Sequence, residues 1–99
     1  IIDNRKTDMT DNLRRQLEAK MSEINSLREL VKSDSELIEL RKRITSAAES
    51  QFGNGTITAT EYLNELNSEK STVINSEIHR INLALAGIEY LNISGQEIE

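Results

Sequence analysis

Few residues of this chain have the types and spacing that chemistry needs. The 99 residues include one histidine, His79, and no cysteine. A structural zinc site needs several His or Cys ligands, and a Ser-His triad needs a partnered histidine. No carboxylate pair, glycine-rich phosphate loop or nucleophile–base pair can be assembled with any specificity. The sequence therefore predicts a protein that is not an enzyme, with no catalytic residue, no metal site and no cofactor.

Two polar features are candidate binding sites. We expect His79 to be a solvated residue on a helix surface, because no partner for it is visible. The basic run at residues 41–43 could bind phosphate or anionic lipid. However, Glu39 precedes Arg43 by four residues, which is typical of a solvated, charge-paired helix face. The net charge of −5 argues against nucleic acid as the main partner.

Two long helices must position whatever function the chain has. The chain contains no proline, which favours uninterrupted helices. Apolar residues recur at intervals of three and four in both halves, which is a helical period. In the second half we predict that the main packing seam consists of Ile74, Ile78, Ile81, Leu85 and Ile88.

The predicted fold class is all-α, a long antiparallel two-helix hairpin that resembles a coiled coil. The first helix is placed at residues 1–52, with the polar run 33–36 as a candidate kink. The hairpin tip takes residues 53–58, and a turn this short makes the helices antiparallel. The second helix is placed at residues 59–94, and Gly95 is expected to end it before a tail at 95–99.

The tip carries the most specific local signal. One of its two glycines can adopt the left-handed conformation that ends a helix. Thr58 and Glu61 have the spacing of a capping box, in which each side chain bonds the other residue's backbone N–H. Ile57 and Tyr62 flank this box as a hydrophobic staple. The end of the first helix, the turn and the start of the second helix are thus all predicted within a few residues.

The apolar surface exceeds what two helices can cover. The apolar arc of the first helix is wider than the narrow stripe of a two-stranded seam, and the second helix carries an additional apolar strip. Pairing across the turn sets Arg41 near Lys70 and Asp34 near Glu77, which are unfavourable like-charge contacts in a dry seam. Either the two helices pair in a different register, or water reaches this level of the hairpin. We expect further neighbours, from other copies or from additional chain.

Residues at and after the tip resemble a known family. Residues 47–63 read AAESQFGNGTITATEYL, and residues 86–95 read AGIEYLNISG. These segments resemble the C-terminal helical hairpin of the outer-membrane efflux proteins, the TolC-like channels. That family has an aromatic residue, two further residues and a glycine at its hairpin turn, as Phe52 and Gly55 do here. The similarity covers residues 47–95 and is only compositional before them.

The resemblance implies a fold, a location and partners. Family members are trimers whose hairpins form a periplasmic tunnel below a barrel in the outer membrane. They work with an inner-membrane pump and a periplasmic adaptor, and they export drugs, metals or proteins. The chain would then be a periplasmic fragment of this larger tunnel, close to the natural C-terminus, and its membrane part would lie in chain absent here. No nucleic acid is expected as a partner.

The resemblance also implies a partner-binding site at the tip, which forms the periplasmic entrance and docks onto the adaptor. The residues so implied are Phe52, Gly53, Asn54, Gly55, Thr56, Ile57 and Thr58. Members often carry a basic residue shortly after the turn glycine as part of a gating contact. This chain has threonine and isoleucine there, which places charge-pair gating in doubt.

Two other interpretations stay open. The chain could be the coiled-coil hairpin of a periplasmic adaptor or an unrelated helical dimerisation module. The second of these interpretations is a cytosolic signalling or scaffold coiled coil. Sequence on either side of this segment would separate them, because an adaptor hairpin is flanked by β-rich chain on both sides.

Overall fold

The computed structural model describes the backbone of residues 2–98 and the side chains of residues 8–95. Helix α1 spans Ile2–Gly53 and helix α2 spans Ala59–Ile98. The two helices pack as a hairpin, and residues 2–98 contain no strand. The predicted all-α hairpin is therefore confirmed.

The helices differ from the expected ones at the candidate kink and at the end of α2. The polar run 33–36 lies inside uninterrupted helix, where the Ser35 hydroxyl donates a hydrogen bond of 3.4 Å to the Val31 carbonyl. At the other end, α2 continues past Gly95 to Ile98. Gly95 does not stop the helix because it lacks the left-handed conformation that Gly55 has, with a φ of 76°.

The chain divides into two compact units. The turn unit comprises Leu30–Arg80, and the end unit comprises Ile1–Glu29 with Ile81–Glu99. The end unit has an apolar interior in which Ile24 and Ala86 are buried. Half-buried residues extend this interior along both helices at intervals of three and four, namely Leu13, Leu17, Leu27, Leu83, Tyr90 and Ile93.

A lysine is set into the end unit among these apolar residues. Lys20 donates a hydrogen bond to Glu23 at 2.9 Å and another to Glu89 on α2. The hydrogen bond to Glu23, followed by that to Glu89, raises the pKa of Lys20 above its usual value. The contact with Glu89 is a polar link between the two helices of the end unit.

The turn unit has a largely polar interior. Its buried residues are Asp34, Thr45, Ala48, Thr72 and Ser76. Their spacing along each helix follows steps of three, four and seven, as in a coiled-coil seam. Small side chains at such positions let two helices approach closely. The fully buried positions of the turn unit are therefore small or polar, while large apolar residues such as Ile38, Ile44, Leu66 and Val73 are half-buried.

The predicted packing face of α2 is wrong. Within the turn unit Ile74 is 56% exposed and Ile78 is 47% exposed. Within the end unit the stripe continues with exposed Ile81, Leu85 and Ile88. At about 100° per residue this stripe lies roughly 170° from the buried line through Thr72 and Ser76. The isoleucines thus point away from α1, because the smaller side chains occupy the contact.

The predicted cross-helix charge pairs are also corrected. Arg41 lies 3.8 Å from the Glu65 carboxylate instead of beside Lys70. Asp34 contacts His79, with 2.5 Å between Asp34 Oδ2 and His79 Nδ1, instead of facing Glu77. The partners on α2 lie two and five residues from the expected ones, because α2 presents a different face. This rotation replaces two like-charge contacts by two contacts of opposite or complementary polarity.

Candidate functional site at the helix turn

The turn segment, residues 52–58, begins with a glycine-based helix ending. The Gly55 N–H donates to the Phe52 carbonyl at 3.0 Å, and the Thr56 N–H donates to the Gln51 carbonyl at 2.8 Å. These two bonds, with Gly55 in the left-handed conformation, form a Schellman motif. They satisfy carbonyls that the end of α1 would otherwise leave unpaired. The backbone of the turn is therefore fixed by internal hydrogen bonds.

The predicted capping box forms at the start of α2. The Glu61 N–H donates to Thr58 Oγ1 at 3.1 Å, and the Thr58 N–H donates to Glu61 Oε2 at 3.3 Å. The first helical bond follows, from the Tyr62 N–H to the Thr58 carbonyl at 3.1 Å. The end of α1 and the start of α2 are thus both capped within a short stretch, so hydrogen bonds fix the backbone between them.

An aromatic stack links the two helices beside the turn. The rings of Phe52 and Tyr62 lie 5.5 Å apart between centroids, with 18° between their planes. Offset stacking of this kind contributes about 0.5–1.5 kcal/mol beyond area burial. Phe52 nevertheless stays 43% exposed. The stack therefore fixes the ring and still presents much of it to the surroundings.

The turn segment offers a small, uncharged surface. Gly53, Asn54, Gly55 and Thr56 are exposed, and Ile57 is half-buried. A Cβ built at Gly53 or Gly55 would meet no atom within 4 Å. Bare backbone beside an exposed aromatic ring can come close to a partner's backbone. The predicted site residues are thus brought together at one end of the turn unit.

A groove lies next to the turn segment in the same unit. It has a volume of about 420 Å³. Its apolar floor is formed by Ile44, Ala47, Ala48 and Ile57. Gln51, Glu61 and Glu65 also line it. The groove places an apolar surface beside the turn segment, which the sequence did not predict.

The polar interior of the turn unit was also missed. His79, predicted to be solvated, is half-buried and contacts the buried Asp34 carboxylate. Eleven residues further along α1, the Thr45 hydroxyl donates to the Glu65 carbonyl at 3.4 Å. The buried Arg41 Nε has no hydrogen-bond partner. The sequence did hold a signal for this seam, the 4-3-4-3 spacing of residues 34, 38, 41, 45 and 48, which apolar periodicity alone passes over.

The described residues contain no cluster of three or more His, Cys, Asp or Glu side chains that could hold a metal ion. Across the same part of the chain, neither helix has a stretch that is both long and apolar enough to cross a membrane. The exposed Phe52 ring and the open backbone at Gly53 and Gly55 offer shape and apolar contact for binding. Comparison of the chain with known family models, curated proteins and solved structures finds no match.

Proposed function

We propose that this chain is a tunnel-forming helical hairpin of an outer-membrane efflux channel, and that its turn segment docks onto a periplasmic adaptor. The observation that carries the proposal is the turn segment itself. It is rigidly capped on both sides, uncharged, exposed and backed by the Phe52–Tyr62 stack. A mere connection between helices needs none of the exposed aromatic character.

The faces of the two helices support a role in the wall of a larger assembly. Large apolar residues are exposed along α2, while the fully buried positions between α1 and α2 in the turn unit are small or polar. A wall element needs this distribution, because its outer faces must pack against neighbouring helices. In the full-length protein we propose a trimer in the outer membrane, with this segment in the periplasm, working with an inner-membrane pump to export drugs, metals or proteins.

The docking role is tested by adding bulk to the turn segment without disturbing it. Gly53→Leu suits this purpose, because Gly53 is helical and a Cβ there meets no neighbour. In cells making the full-length protein, we expect G53L to leave channel levels normal and to increase sensitivity to exported drugs or metals. Gly53→Ala is the matched control and should keep most activity. Normal resistance in G53L would contradict docking through this surface.

A direct test uses a photo-crosslinking amino acid placed at Thr56 in such cells, with the exposed Asn12 as control position. We expect a Thr56-specific adduct that mass spectrometry identifies as a periplasmic adaptor. Adducts with cytosolic proteins alone would overturn the proposed location.

The exposed apolar residues favour a second candidate, a helical dimerisation module or the hairpin of an adaptor. In that case the same Thr56 probe would crosslink to a second helical hairpin or to a channel protein. The partner's identity therefore separates the two functions.

A further inference from the structure

We infer that copies of this chain associate through unlike faces, the α1 face of one copy packing against the α2 face of the next. In the turn unit the α1 face consists of exposed Leu30, Leu37 and Leu40. The α2 face consists of exposed Ile74 and Ile78. The occupant of each face is thus the other face of a second copy.

The exposed area leaves room for contacts with other copies. The chain exposes 7523 Å². A compact monomer of its 11.2 kDa mass would expose about 5,700 Å², so roughly 1,800 Å² are in surplus. A standard protein interface covers about 800 Å² on each partner. The surplus is therefore large enough to hold two standard contacts per chain.

The two faces are placed so that one contact cannot cover both. At about 100° per residue, the α2 face lies roughly 170° from the line of α2 that contacts α1, so it points away from α1. The α1 face lies roughly 70° from the corresponding line on its own helix, that is, on its flank. A self-complementary dimer through one face would leave the other exposed. Pairing unlike faces covers both with a single kind of contact.

The charge distribution argues in the same direction. Up to Phe52 the chain has ten basic and ten acidic side chains, whereas from Gly53 onward it has two basic and seven acidic ones. Contact between two α2 faces would bring two acidic helices together, which like-charge repulsion disfavours. Contact between α2 and the neutral α1 avoids this repulsion.

This mode of association does not depend on the efflux role. It is a property of the isolated chain, so it can be tested in solution without a membrane, a pump or an adaptor. Failure of the export tests would leave it intact, and absence of association would leave the docking of the turn segment to be judged by its own tests.

The absence of cysteine gives a clean background for disulfide trapping. Leu37 and Ile74 lie at matching distances from the turn, about 15 residues or four helical turns from it. We would mix chains carrying Leu37→Cys with chains carrying Ile74→Cys under mild oxidation. The control mixture carries Ser35→Cys and Asn75→Cys. Both positions are exposed, and Ser35 lies about 160° from Leu37 while Asn75 lies about 100° from Ile74.

We expect mixed 37–74 disulfides in at least about tenfold excess over same-position disulfides, since unlike faces meet in a head-to-tail contact. The control pair should give little product. Dominant 37–37 or 74–74 disulfides would overturn the inference in favour of a self-complementary dimer. Absence of any disulfide above the control level would overturn it as well.

Sedimentation equilibrium provides a second readout. The unmodified chain should form species larger than a dimer as its concentration rises, because unlike-face contacts continue from copy to copy. Ile78→Glu should weaken association at least about tenfold, whereas Asn75→Glu, with the same added charge, should not. Circular dichroism confirms that both variants remain helical. A strict monomer, or equal effects of the two variants, would contradict the inference.

Discussion

His79 lies against Asp34 across the two helices of the turn unit, with 2.5 Å between Nδ1 and Oδ2. Asp34 is only 7% exposed, so its carboxylate depends on this contact for a hydrogen-bond partner. Polar pairs at seam positions can fix register in coiled coils, because a shifted pairing leaves each group unsatisfied. The pair thus supplies specificity in a seam that has few large apolar residues.

Removing one member of this pair should cost more than removing both. We expect His79→Leu to lower the free energy of unfolding by about 1–3 kcal/mol, because the buried carboxylate loses its partner. The double variant Asp34→Leu with His79→Leu should recover most of that loss, since apolar packing replaces the pair. Urea unfolding at low chain concentration measures both. Strictly additive losses would show that the two side chains do not interact.

Arg41 should be replaceable with a gain in stability. Its Nε is buried without a hydrogen-bond partner, and its contact with Glu65 is long at 3.8 Å. An unsatisfied buried donor costs about 1–3 kcal/mol. We therefore expect Arg41→Leu to raise the free energy of unfolding by roughly 1 kcal/mol. The exposed Arg43→Leu serves as control and should change stability by less than about 0.5 kcal/mol. If R41L is less stable instead, the contact of Arg41 with Glu65 stabilises the chain by more than the unpaired Nε costs.

The sequence predicted the turn far better than the seam, and the reason is physical. Capping boxes and left-handed glycines are set by neighbours within a few residues, so Thr58, Glu61 and Gly55 could be assigned from sequence alone. Which face of α2 contacts α1 depends on the whole arrangement. Apolar periodicity selected the Ile74 stripe as the seam, yet the structure places Thr72 and Ser76 there. A hairpin with additional outer faces breaks the rule that the most apolar stripe packs inward.

The capping box should contribute measurably to stability. Thr58→Ala removes the acceptor of the Glu61 N–H, which is bonded at 3.1 Å. We expect a loss of about 1 kcal/mol in the free energy of unfolding, because an N-terminal helix donor becomes unpaired. Thr58→Ser keeps the hydroxyl and should cost only a few tenths of that. If both variants lose equally, the methyl group rather than the hydrogen bond is what matters.

Gly55 should tolerate asparagine but not valine. Its φ of 76° lies in the left-handed region, where β-branched side chains are strained even though a Cβ there meets no neighbour. We expect Gly55→Val to lower the thermal midpoint by several degrees, corresponding to about 1–2 kcal/mol, and Gly55→Asn to cost less. Thermal unfolding followed by circular dichroism measures the difference. Equal midpoints would show that the turn has rearranged, for example by giving up its Schellman hydrogen bonds.

The contribution of Lys20 should disappear in alkaline solution. Hydrogen bonds to Glu23 and then Glu89 raise its pKa above the usual 10.5, so folding favours the protonated amine. The resulting stabilisation is fully present below pH 10.5 and is lost as the pH rises through the folded-state pKa. We expect the midpoint difference between the unmodified chain and Lys20→Met to stay constant up to about pH 10 and then shrink. Lys42→Met, at an exposed position, provides the control for general charge effects. A difference that persists unchanged to pH 11.5 would show that Lys20 stabilises the end unit through its aliphatic stem rather than its charge.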